Sequence, residues 1–264
     1  MFIYCRSTAN GGAITFIGSS SITEDRFYDE GSANVVQASD KFTTANHAYL
    51  YLDSTASYIM NQGCVFNSKT NTTNVGNILA ENGDKTIKFY NCSYCESGCN
   101  SALHLKISSN NPEILYCNFI SASSIKTASC FVVEENSQGS KYTVNHMVMM
   151  NNTQKGNGGI IECYNLNLYI NDAVILGNPG NSYMFYINGG KIIISNSIVD
   201  YMTTSTVNGA FEKTNVSQST PYGWKFRLLS PPYMRHTKIC TYHIQFKFCA
   251  FLNYNMMLIF LFLD

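Results

Sequence analysis

A double periodicity of about 26 residues constrains this chain more than any other feature, because a repeat of that length means a solenoid, a propeller or an array. One series of strand-like segments is marked by Cys64, Cys92, Cys117, His146, Asp172 and Asn196. A second is marked by Ile78, Leu103, Phe131, Ile160, Phe185 and Ala210. Each marker of the second series trails its partner in the first by a nearly constant interval, short only between Cys92 and Leu103. Two independent series with one period and a steady offset define a repeat. Gly11-Gly12-Ala13-Ile14 and Ala48-Tyr49-Leu50 extend the second series, and Asp25-Arg26-Phe27 the first, with an insertion over residues 29–41.

A strand rises about 3.3 Å per residue, so one period holds two or three short strands and their corners. Stacking such coils pairs each strand with its own equivalent, in parallel, about 4.8 Å away. Parallel neighbours cannot be joined by a tight hairpin, and no helical crossover segments occur, so the rest of the coil must make the connection. The fold expected is therefore all-β: a right-handed parallel β-helix of seven to eight coils. Alternating residues point inward, and Ile87, Phe89, Val144, Leu168, Ile170, Ile192 and Ile194 are the expected core positions. A leucine-rich repeat would need an L-x-x-L-x-L-x-x-N frame that is absent. An antiparallel sandwich explains closely spaced strands but gives no reason for an identity at the longer interval.

Residues 1–220 carry the repeat. Residues 221–264 do not: Pro231-Pro232 breaks the chain, and the remainder is aromatic and aliphatic. The window 246–263 contains Lys247, Asn253 and Asn255, short of the roughly 20 mainly apolar residues of a membrane span. A cap strand or helix over the open end of the rod, or an unrelated extension, is expected there, with membrane contact as a further option. Met1-Phe2-Ile3-Tyr4-Cys5-Arg6 lacks the basic and apolar regions of a secretion signal. The repeat already runs at Gly11, so the expectation is a start inside a longer protein.

Seventeen basic and seventeen acidic residues cancel, and charged residues make up 13% of the chain. No basic stripe points to nucleic acid. Asn, Ser, Thr and Tyr replace charge, which suits in-register stacking: like charges on adjacent rungs repel, while amides and hydroxyls hydrogen-bond.

Few motifs carry chemistry. Cys64, Cys92 and Cys117 fall in one register and read as a stack of small buried side chains. Cys92, Cys95 and Cys99, near Cys117, form a sharper cluster, but no second CxxC completes the four-ligand set of a zinc site. Cys95–Cys99 and Cys92–Cys117 are the disulfides an oxidising compartment would allow. His47, His104, His146, His236 and His243 fall in no HExxH and beside no GxSxG. Gly158-Gly159 and Gly189-Gly190 do not open helices as phosphate loops do, and read as corners with φ > 0. The acids Asp53, Glu81, Asp84, Glu113, Glu134, Glu135, Glu162, Asp172 and Asp200 are scattered. Glu134 and Glu162 alone come close in register, as an acid–base pair requires. Sequons at Asn71, Asn91, Asn151 and Asn215 mean little in so Asn-rich a chain. No catalytic, cofactor-binding or metal-binding residue is assigned.

Gly11-Gly12-Ala13-Ile14 matches the GGAI element of polymorphic outer-membrane-protein-like repeats. Gly158-Gly159-Ile160-Ile161 is a looser copy, and Val148-Met149-Met150-Asn151 is a degenerate FxxN element. Over residues 10–215 the chain thus resembles long β-helical surface proteins. The resemblance implies an extracellular or cell-surface adhesion module that presents polar coil faces to a host or cell-surface protein or a glycan. It implies no catalytic residues. A carbohydrate-active lyase or hydrolase on the same scaffold is the alternative, and a self-associating structural protein a third reading.

Overall fold

The computed structural model describes residues 1–7, 11–34, 45–70, 76–99, 102–107, 113–125, 130–135, 139–178 and 183–218. Among them there is no helix, and every strand pairing is parallel. The chain is a β-solenoid with three faces per coil. Residues 221–264 lie outside the described residues, as do the core of the expected insertion (35–44), Asn71, His236 and His243.

Face A stacks Ile14, Ala48, Ile78, Leu103, Phe131, Ile161, Phe185 and Thr204 as register partners on successive rungs. The inward column of face B runs Glu24, Met60, Ile87, Ile114, Val144, Ile170, Ile194 and Lys213. That of face C runs Asp29, Val65, Cys92, Phe119, Met149, Ile175 and Val199. From Met60, Val65 and Ala48 onward, these columns are fully buried and apolar until the final coil. Phe119 packs on Phe131 with ring centroids 5.8 Å apart, tying faces A and C together across the core.

The corners explain the Asn-rich composition. Faces A and B meet at Asn82, Asn165, Gly189 and Asn208, all at φ between 53° and 74°. Faces B and C meet at Arg26, Phe89, Tyr116, His146, Asp172, Asn196 and Asn215, whose φ values run from 49° to 58°. The third corner carries Tyr4, Gly31, Asn67, Tyr94, Ser121, Asn151 and Gly177. Each of these corners turns on a left-handed residue, the conformation that Gly and Asn adopt at least cost. An Asn ladder lies just inside the third corner. Asn152 Nδ2 donates to Phe119 O and to Asn178 Oδ1, and Asn152 Oδ1 accepts from Ala122 N–H, each at 2.9 Å.

A constant period misplaces several residues. Cys64 pairs with Asn91, Cys92 with Val65 and Phe119, and Cys117 with Met147, so the three cysteines do not share a register. Ile161, not Ile160, partners Phe131, and Ala210 sits opposite Lys191 on face B. Phe89 is a corner residue stacked on Tyr116, outside the core. The cause is the corners. The face A advance is long from Ile14 to Ala48, shorter from Ile78 to Leu103 and shortest from Phe185 to Thr204. Each change in corner length shifts the register of the strands beyond it.

The glycines also divide. Gly189 and Gly190 do have positive φ, at 74° and 78°. Gly158 and Gly159 do not; a Cβ on Gly159 would instead lie 2.6 Å from Tyr186 N on the next rung. Close backbone approach, not turn geometry, requires glycine at position 159. Gly12 has the same role, since its Cβ would meet Asn46 O.

Candidate functional site

Alternation turns every second residue of face A outward. One outward column runs Tyr49, Leu79, His104, Val132, Glu162 and Tyr186; the next runs Tyr51, Glu81, Lys106, Glu134, Tyr164 and Asn188. Ionisable groups of both columns join into one network. Lys106 Nζ lies 3.4 Å from Glu81 Oε2 and 3.4 Å from Glu134 Oε1. His104 Nε2 lies 3.4 Å from the same Glu134 oxygen. Glu81 also accepts from Tyr49, whose pKa is pushed up to about 12 by burial and by that carboxylate. Tyr164 donates to Glu162 Oε2 at 2.8 Å, and its ring centroid lies 5.8 Å from that of Tyr186.

The expected proximity of Glu134 and Glu162 is realised on adjacent rungs: Glu162 partners Val132, and Glu134 partners Tyr164. Their environments push them in opposite directions. Burial works to raise Glu134, but His104 and Lys106 hold it below the usual carboxylate range. Glu162 is 4% exposed, and burial lifts it to about 7 against the bonds it accepts from Tyr164 and Gly159 N–H. Such divergence within one cluster marks a functional-site candidate.

It also predicts a stability signature. A folded-state pKa raised above the unfolded value of about 4.5 leaves stability intact at low pH and erodes it as pH rises toward 7. Glu162→Gln is therefore expected to stabilise the protein by about 1–3 kcal/mol at pH 8 and by nothing at pH 4. Urea melts at the two pH values check this, and an equal effect at both would sink it.

At one end of the strip, around Tyr51, the surface opens into a depression of about 400 Å³ lined by Tyr51, Leu52, Asp53, Ser54, Thr55 and Asn82. Its Asn82 wall is braced by Lys85, whose ammonium donates to Asn82 O at 2.6 Å, Gly83 O at 3.1 Å and Lys106 O at 2.7 Å. Burial pulls the Lys85 pKa down to about 7, with Asp84 and Glu81 acting the other way.

The other sequence candidates scatter. His146 is a half-buried corner residue stacked on Tyr116 at 4.7 Å, not an interior rung. His47 lies in the core at the N-terminal end, between Asp29 and Glu24. Cys95 and Cys117 stand as thiols, so neither expected disulfide is made. Burial pushes Cys92 up and Cys117 up to about 12, which makes both poor nucleophiles. Among the described residues no group of three or more His, Cys, Asp or Glu is placed to hold a metal ion, and no helix is long and apolar enough to cross a membrane. Asn91 is buried and accepts from Ser93 Oγ, whereas Asn151 is an exposed corner.

Sequence reasoning named His104 without placing it here, and missed Tyr49, Tyr51, Lys85, Lys106, Tyr164 and Tyr186. Moving along the true face A register from Glu134 would have reached Lys106, Glu81, Tyr51 and Tyr164. Compared with known proteins, the chain matches no family model, no curated protein and no solved structure.

Proposed function

We propose that the protein is a non-enzymatic recognition module of the surface or adhesion type, with face A as its binding surface for a glycan or a cell-surface protein. The observation that supports this is the strip Tyr51, Glu81, Lys106, Glu134 and Tyr164. It is continuous over successive coils and mixes aromatic rings with charge of both signs. Partly exposed side chains, paired with one another at fixed rung spacing, suit an extended partner, because less ordering entropy remains to be lost on binding. The GGAI resemblance supports extracellular placement, and Asn151 is a sequon the fold leaves open to glycosylation.

The test is binding of the full chain to glycan arrays and to intact cells. Lys106→Glu is expected to weaken binding at least tenfold, and Tyr169→Ala on face B to leave it unchanged. Equal loss from both variants, or no binding at all, would overturn the assignment.

The divergence of Glu134 and Glu162 favours one second reading, a carbohydrate-active lyase or hydrolase. Glu162, protonated near neutrality, would give a proton to the leaving group, and the ionised Glu134 would act as base. Depolymerisation that disappears in Glu134→Gln would select this reading over the first.

A further inference from the structure

We infer that the depression beside Tyr51 is a subsite for one neutral pyranose residue of a glycan. The inference deepens the recognition reading above and rests on it.

The lining sets the ligand chemistry. Tyr51 is 41% exposed and offers an aromatic surface to the C–H groups of a sugar ring. Asp53 and Asn82 supply planar oxygen acceptors and an amide donor, and Ser54 and Thr55 supply hydroxyls. A ring surface with convergent polar groups around it is what a polyol requires. Other ligand classes fit less well. Among the described residues no Lys or Arg lines the depression, so a phosphate or uronate would find no countercharge there and would face the Asp53 carboxylate. An apolar ligand would find little surface, because Leu52 is fully buried in the core.

The site is held in place before any ligand arrives. Asn82 and Gly83 form a left-handed corner at φ 54° and 66°. The Lys85 ammonium fastens the corner's two carbonyls and that of Lys106 on the next coil. Beside it on the preceding rung, residues 53–56 form a turn closed by Ala56 N–H to Asp53 O, 3.0 Å. Asp53 N–H is anchored to Gly18 O on the preceding coil, and Asp84 N–H to Ala56 O, each at 3.0 Å. The two touch so closely that a Cβ on Gly83 would lie 2.6 Å from Ala56 O. Both are backbone, each tied to a neighbouring coil, so binding need not order a loop. Tyr51 is also the register partner of Glu81, so a linear glycan with one ring on Tyr51 continues onto the charged strip.

The experiment is ligand-observed and amide NMR on the full 264-residue chain. The probes are methyl glycosides of glucose, galactose, mannose and N-acetylglucosamine, with methyl glucuronide as the charged control. At least one neutral glycoside is expected to shift the Tyr51 and Asn82 resonances, and the glucuronide is not. Tyr51→Ala, which removes an exposed ring, is expected to weaken that binding tenfold or more. Tyr169→Ala on face B should leave it unchanged. The inference is overturned if no neutral glycoside shifts these resonances up to roughly 100 mM, well above a millimolar Kd. It is also overturned if the glucuronide binds equally well. If longer glycans bind face A and lose affinity in Lys106→Glu but not in Tyr51→Ala, the subsite falls and the recognition reading stands. If no glycan or cell binds at all, both fall.

Discussion

The stability gap between the native protein and a His47→Gln variant is expected to shrink by about 3 kcal/mol between pH 6 and pH 10. His47 is fully buried near the N-terminal end of the rod, where faces B and C place Glu24 and Asp29 inward instead of apolar residues. Its Nδ1 donates to Asp29 Oδ2 at 2.5 Å and its Nε2 to Glu24 Oε1 at 3.1 Å, so both ring nitrogens carry protons. Tyr58 donates to the second Glu24 oxygen. Phe27 stacks on the imidazole at 4.4 Å, and Phe2 meets it edge-on at 5.5 Å. Burial alone would lower the imidazole pKa. Hydrogen bonds to Asp29 and Glu24, and then the charges of both, outweigh burial and raise it to about 9. A folded pKa above the unfolded value of 6.5 means the contribution is complete below pH 6.5 and is lost as pH rises through 9. Lys85, with its lowered pKa, works in the opposite sense, but it is common to both proteins and cancels in the difference. Urea unfolding of both proteins at the two pH values gives the gap directly. A gap independent of pH would show that His47 is not held as an imidazolium.

The second large effect concerns the ladder inside the third corner. Asn152→Ala is expected to cost about 2–4 kcal/mol, because Ala122 N–H loses its acceptor in a dry interior and the bonds to Phe119 O and Asn178 go with it. Asn171→Ala is expected to stay within about 0.5 kcal/mol, although Asn171 also bonds across rungs, to Asn145 and Ser195. The difference lies in burial: Asn152 is sealed from water, and Asn171 is not. Thermal or urea melts of the two variants decide it. Similar losses in both would mean that the external ladder carries as much of the fold as the internal one.

The repeat made the architecture legible. Two offset series at one period were enough to imply parallel coils, and Ile87, Val144, Leu168, Ile170, Ile192 and Ile194 are all in the core. What the series could not give was register to the residue. The signal lies in strands, whereas the slips arise at corners, where one added residue looks like ordinary variation. Cys64 and Cys92 appeared aligned because a single-residue change between them is invisible without the pairing partner. The candidate site suffered from the same cause. Glu134 and Glu162 were near enough in sequence register to be noticed. His104 and Lys106 lie one rung earlier, on a strand whose polar residues looked ordinary alone. Lys85 was hidden for another reason. At 1% exposure it is buried as an apolar residue would be, and only the carbonyls it fastens account for it.

The uneven coil lengths have a consequence for how such a chain changes over generations. The advance along face A from Ile14 to Ala48 is far longer than that from Phe185 to Thr204, yet the rungs stay in line. Nearly the whole difference is absorbed between the face C and face A columns, from Asp29 to Ala48 and from Val199 to Thr204. Insertions there are nearly neutral to the core, while a single-residue slip inside a face would turn its side chains inside out. Selection can thus lengthen, shorten or replace the segments that return from face C to face A almost freely while the stacked columns are held fixed. New specificities would arise at the margins of an unaltered rod.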